Sequence, residues 1–194
     1  MAVENSNASA LADSQLQRWR LDTLSACSLA IGAYPRFSYN ASGGGATSQP
    51  AAELLFPVES VQIPPLNWRT TRFLGLPLPP GLEIRIAPER LAGRLDAGTG
   101  TVQLDFRARF HFRIAIAGWP LLEAPPLLVA TSLSTAAAAG ERHRAQGQPL
   151  DARGRARLVG VATITPTGTA WLDRFLGLPD EALAELDCRF TALP

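Results

Sequence analysis

Between residues 106 and 116 the side chains divide by parity into two opposed chemistries. Phe106, Ala108, Phe110, Phe112, Ile114 and Ile116 share one parity, whereas Arg107, Arg109, His111 and Arg113 share the other. Successive side chains of a strand point to opposite faces, so the segment reads as a strand with an apolar inner wall and a cationic outer ladder. A slip of one residue would exchange the faces, which makes the register strongly specified. The strand is expected to run from Val102 to Ile116, far beyond the usual length of roughly 5–6 residues. Such length suits a coiled or barrel-closing strand better than a flat sheet.

The flanks supply the rest of a hairpin. Leu82 to Leu95 reads as the preceding strand, interrupted near Pro88, a residue tolerated only at an edge or a bulge. Asp96-Ala97-Gly98-Thr99-Gly100 between them carries residues that accept turn conformations. A second hairpin is expected with its tip at residues 151–154, running on through Arg155 to Thr165, and Leu127 to Leu133 is a further strand. Strand-like alternation also begins near residue 24 and continues through Tyr39 until Gly43-Gly44-Gly45 breaks it. Helix is expected in two short places. One is residues 10–22, from Leu11, Leu16, Trp19 and Leu21; the other is 180–186, where Asp180 can cap and Glu181 favours the positive end of the dipole.

The predicted fold class is therefore all-β and predominantly antiparallel, a small barrel or closed sandwich with those two helices. Residues 1–23 are expected to be an arm, partly disordered or helical, and residues 24–194 a single β-rich domain.

A hexapeptide occurs twice: Arg72-Phe73-Leu74-Gly75-Leu76-Pro77 and Arg174-Phe175-Leu176-Gly177-Leu178-Pro179. Trp68 precedes the first copy and Trp171 the second, which reads as a degenerate internal duplication. Under one reading the two copies plug the corners of a barrel with tryptophan and phenylalanine. Under the other they flank one opening, where Trp68, Phe73, Leu76, Leu78, Trp171 and Phe175 grip an apolar ligand. The stiff uncharged run Pro77-Leu78-Pro79-Pro80 after the first copy favours contact with something outside the core.

The 18 basic residues are all arginine, and the net charge is +1. Without lysine there is no Schiff-base chemistry, and a near-zero charge gives no global steering toward nucleic acid. Locally, Arg107, Arg109 and Arg113, with Arg153, Arg155 and Arg157 on the second hairpin, form a face suited to an acidic protein or an anionic membrane surface. The alternative is a solvated face paired with carboxylates such as Asp105 and Glu83. Aromatics lie on the opposite face from these arginines, unlike single-strand binders that stack bases within the basic groove.

Motif chemistry is sparse. His111 and His143 stand among arginines, and no paired histidine or close cysteine spacing is present to hold a metal. Neither a nucleophile elbow nor a phosphate-cradling loop occurs, so no cofactor is expected. Cys27 and Cys188 could form one bridge; two buried free thiols are the preferred reading. No apolar run reaches the roughly 18 residues of a membrane-spanning helix, and Leu24-Ser25-Ala26-Cys27 lacks the preceding apolar stretch of a lipoprotein signal. The expected setting is the cytoplasm, at most peripheral to a membrane. The leading expectation for function is non-catalytic binding of a lipid- or pigment-like molecule inside a β-barrel with an arginine-rich docking face. The alternatives are an assembly subunit with a fully packed barrel and an enzyme using distributed carboxylates, Asp173 with Asp180 or Glu181 with Glu185.

Overall fold

A computed structural model describes residues 17–116 and 119–194. The expected disordered segment and the Leu11 and Leu16 positions of the expected first helix lie outside the described residues. In chain order the strands are β1 (Arg18–Thr23), β2 (Cys27–Ile31), β3 (Phe37–Tyr39), β4 (Gly45–Thr47), β5 (Leu54–Phe56), β6 (Thr71–Phe73), β7 (Leu76–Pro77) and β8 (Leu82–Asp96). They continue with β9 (Thr101–Ile116), β10 (Trp119–Glu123), β11 (Leu127–Ser134), β12 (Ala137–Ala139), β13 (Arg144–Gln146) and β14 (Arg155–Ile164). Among the described residues one α-helix, α1 (Ala170–Leu176), precedes the last strand, β15 (Asp180–Leu193).

The main sheet has thirteen strands along the path β5-β8-β9-β11-β14-β15-β2-β3-β6-β7, with β1 bridging β15 to β4 and β10 added to β9. All its pairings are antiparallel. Strands β12 and β13 form a separate hairpin.

The hairpin of β8 and β9 is the longest unit, as the parity pattern predicts. At its tip Asp96 accepts from the N–H groups of Gly98 and Thr99, at 2.8 and 3.2 Å, and Gly100 takes a φ of 72°. The irregularity expected at Pro88 is a bulge between Pro88 and Arg90. The extra residue reverses the parity of β8. Ile84 and Ile86 face Phe112 and Phe110 before the bulge, and Leu91 faces Phe106 after it. Glu89 sits at the bulge, where its carboxylate accepts from both Arg107, at 2.8 Å, and Arg109. Hydrogen bonding from Arg109 leads the effects that hold Glu89 below the ordinary carboxylate range.

Two expectations need correcting. The sheet is not closed into a barrel. Its path ends at the two-residue β7, and the Pro79-Pro80 that follows has no N–H groups to extend a ladder. Across the remaining gap a single bridge joins Leu66 to Ile84, with both N–H···O bonds at 2.9 Å. The described part of the first expected helix and the whole of the second are strand. Residues 18–22 form β1 and residues 180–186 open β15, while the helix near the C-terminal end spans 170–176. Asp180–Ile164 through Arg189–Arg155 is a continuous ten-pair ladder, and that long pairing overrides the helical propensity of Ala182 to Leu186.

Asp180 and Glu181 instead hold the β12–β13 hairpin against β14 and β15. Glu181 accepts backbone N–H bonds from Glu141, Arg142 and His143 at 2.7, 2.9 and 3.1 Å, and Asp180 pairs with Arg142 at 2.9 Å. These bonds hold both carboxyls below their ordinary range: backbone N–H donation, Arg142's first, acts on Glu181, and the Arg142 side chain acts on Asp180. A depressed folded pKa stabilises above the unfolded value, about 4 for a carboxylate, and the contribution is lost as pH falls through the folded value. Acidification below about pH 4 is expected to loosen the hairpin before the sheet unfolds. Hydrogen exchange of residues 137–146 across that range reads it, and Glu181→Gln should flatten the pH dependence. An unchanged slope would mean the carboxylate is not what holds the hairpin.

Candidate functional site

Along the inner face of β9 the Thr101 end is more deeply buried than the Ile116 end, with Phe106 partly buried between Leu104 and Ala108. Val102, Leu104 and Ala108 are fully enclosed, Phe110 and Phe112 are half-buried, and Ile114 is 38% exposed. The closed end is filled by a cluster that includes Phe56, Leu91, Leu104, Leu158 and Phe190. A second cluster packs α1 through Leu172 and Leu176 onto Leu127, Ala162 and Ile164, and a third gathers Cys27, Tyr39, Ala41 and Leu66. The three do not merge. Between them lies a cavity of about 650 Å³, walled by residues from all three. Walls contributed by β2, β3, β6, β8, β9, β11, β14 and β15 show that the open sheet curls around this space.

Small side chains create the room. Ala162 on β14 and Ala182 and Ala184 on β15 line the cavity, while Phe106 packs against the first cluster and Phe110 and Phe112 against the second. Four hydroxyls of the wall are satisfied by the protein. Thr131 donates to the Val161 carbonyl at 2.8 Å, Tyr39 to Pro64, Tyr34 to Phe175 and Thr23 to Ala41. The Cys27 thiol donates to the Leu24 carbonyl at 3.3 Å, and burial pushes its pKa up to about 11, so it stays protonated and unreactive at neutral pH. Burial likewise raises the Cys188 pKa. Both cysteines are free. The surface presented to the cavity is thus hydrocarbon.

Five of the six residues expected to bind ligand line this space: Phe73, Leu76, Leu78, Trp171 and Phe175. Trp68 does not. Its indole is half-exposed elsewhere, with the Arg69 guanidinium 4.8 Å above the ring. Leu29, Ile31, Ile84 and Ile86 complete the wall. Their alternation within β2 and β8 was the available signal, but it marks an inner face without saying whether that face is filled.

Both copies of the repeated hexapeptide reach the cavity, yet they fold differently. In the first, Arg72 and Phe73 end β6, Leu74 and Gly75 turn with φ of 52° and 81°, and Leu76 begins β7. Two positive φ values make this a tight hairpin turn. In the second, Arg174 to Leu176 form the last turn of α1, and Gly177 caps it at φ 71° with Leu178 donating to the Asp173 carbonyl at 2.8 Å. A shared local conformation, expected from the sequence echo, is absent.

Comparison with protein families, curated proteins and solved structures finds no match to this chain. Chemistry must therefore be read from the side chains themselves. The carboxylates considered as acid/base pairs are each engaged. Asp173 accepts from Thr167 and Gly168, Asp180 from Arg142, Glu181 from three N–H groups, and Glu185 from Ser28 and Arg36. Among the described residues no group of histidine, cysteine and carboxylate side chains converges to hold a metal ion.

The outer arginines are partly neutralised. Arg107 and Arg109 share Glu89, Arg157 pairs with Asp187 at 2.6 Å, and Arg113 lies 3.9 Å from Glu123, too far for a hydrogen bond. Arg153 and Arg155 have no carboxylate within ion-pair distance among the described residues. No helix among the described residues is long and apolar enough to cross a membrane.

Proposed function

We propose that the protein is a non-catalytic binder of one apolar small molecule, lipid- or pigment-like, held inside the curled sheet. The cavity carries this reading. Its volume falls in the range of about 300–1,000 Å³ typical of small-molecule sites. Apolar cavities that stay empty are smaller, on the order of 150 Å³, and water entering this one would find few unpaired polar groups. An elongated hydrocarbon would cover Phe106, Phe110 and Phe112, and any polar head would stay at the open end. The fully packed assembly subunit is the weaker reading, because none of the described residues fills this interior.

Native mass spectrometry of protein purified from its own host is the direct test. The expected spectrum carries one added mass that organic extraction removes and that fragments as a hydrocarbon-rich molecule. Protein that retains nothing, and that also fails to bind a fluorescent polyene fatty acid in titration, would end the proposal.

A further inference from the structure

We infer that the open end of the cavity is a docking surface for an anionic phospholipid bilayer, and that ligand passes between bilayer and cavity there. The inference rests on the binding role proposed above and adds the partner. Large apolar side chains collect around the opening on separate elements. Leu74 and Leu76 stand on the β6–β7 turn at 71% and 70% exposure, and Trp171 and Phe175 on α1 at 46% and 60%. All four line the cavity, so the exposed rim and the enclosed wall are one continuous apolar surface. Trp119, 76% exposed on β10, is paired with Ile116 at the same end of β9 as the cavity-lining Ile114.

Leu74 supplies an independent observation. Its φ of 52° is a conformation that favours glycine or asparagine, and asparagine before Gly75 would be the better turn former. A leucine held there, exposed, gains nothing for the fold. Backbone cost combined with an exposed apolar side chain points to a surface used in contact.

Charge decides the kind of partner. Arg72 and Arg174 flank the rim, and among the described residues neither has a carboxylate within ion-pair distance. The carboxylates on these elements are engaged: Asp173 of α1 accepts from Thr167 and Gly168, and Glu123 of β10 lies 3.9 Å from Arg113. Tryptophan and leucine inserting at the headgroup boundary, with arginines on phosphate, match an anionic lipid surface. A bilayer also offers what a protein partner would not: a hydrocarbon phase into which the cavity can open without exposing its contents to water.

The test uses flotation with vesicles of phosphatidylcholine alone and of phosphatidylcholine mixed with phosphatidylglycerol. Wild-type protein is expected to float with the mixed vesicles and more weakly with the neutral ones. Leu74→Asn combined with Trp119→Ser should weaken flotation by about tenfold or more. The single Leu74→Asn variant should melt no lower than wild type, which separates lost docking from lost folding. Arg72→Gln with Arg174→Gln should remove the preference for phosphatidylglycerol. Wild-type protein that floats with neither vesicle overturns the inference. So does a rim variant that floats normally, or docking lost instead in an Arg107→Gln, Arg109→Gln, Arg113→Gln variant. A wild-type dimer that the rim variant dissociates would assign the face to a second copy and also overturn it. Polyene fatty-acid binding, measured in the same variants without vesicles, reports on the cavity separately: its loss from wild type would sink the binder reading, not the docking.

Discussion

Phe190→Ala is expected to cost about 3–5 kcal/mol, a large share of the roughly 5–15 kcal/mol that keeps a domain folded. The ring is 3% exposed in the cluster that fills the closed end of the sheet, between Leu21, Leu158 and Cys188. Removing it leaves a hole that strands fixed by hydrogen bonds on both sides cannot collapse into. Phe112→Ala is expected to cost about 1 kcal/mol, although both residues are inward-facing phenylalanines of long strands. Phe112 is half-buried and borders empty space, so truncation enlarges an existing cavity instead of opening a new one. The sequence pattern alone assigns Phe112 to the core and would give it the full penalty. Urea unfolding of the two variants reads the difference. Equal losses would mean that the aromatic wall is packed in solution and the cavity is closed.

Saturating the protein with a long-chain fatty acid at about 100 times its Kd should add about 2.7 kcal/mol of stability. For a chain of this size that corresponds to a rise in Tm of roughly 5–11 °C. Ala184→Phe is expected to abolish the rise. Ala184 lies on β15 between Ala182 and Leu186 and lines the cavity, so a ring placed there occupies the volume a ligand needs. The space beside it is already empty, and the variant should fold with a Tm close to that of the free wild type. A ligand-induced rise that survives Ala184→Phe would place the binding somewhere other than this cavity.

What the sequence made legible was local. The β8–β9 hairpin could be read because parity, Pro88 and the Asp-Ala-Gly-Thr-Gly turn all agree over adjacent residues. Residues 180–186 were misread because Asp-Glu-Ala-Leu-Ala-Glu-Leu satisfies two patterns at once. Its residues are good helix formers, and its alternate positions 182, 184 and 186 also suit one face of a strand; pairing with β14, which no local pattern in the segment announces, decides between them. The repeated hexapeptide misled for the same reason. Glycine permits a left-handed residue in both copies, but a strand leads into the first and a helix into the second. The cavity was not legible at all. Phe106, Phe110 and Phe112 look like core residues, and no local pattern tells that β14 and β15 bring small alanines to the same cavity. Five of the six residues expected at an opening do line the cavity, four of them from partly exposed positions and Leu78 from a buried one.

The position of β15 in the sheet has a kinetic consequence. It follows every other strand in the chain, yet it lies between β14 on one side and both β1 and β2 on the other. Until residues 180–193 are in place, the run β5-β8-β9-β11-β14 and the strands β1, β4, β2, β3, β6 and β7 on the far side share few backbone bonds, among them the Leu66–Ile84 bridge and the Gln49–Leu55 bond. Arg18 must find Leu193, and Ile31 must find Ala182, across almost the whole length of the chain. Contacts of such long sequence separation place folding toward the slow end of the range for single domains. During synthesis both half-sheets would wait with their apolar faces open to solvent, which is the stage at which such a chain aggregates or recruits a chaperone. The strand that seals the hollow is also the one that ends the wait.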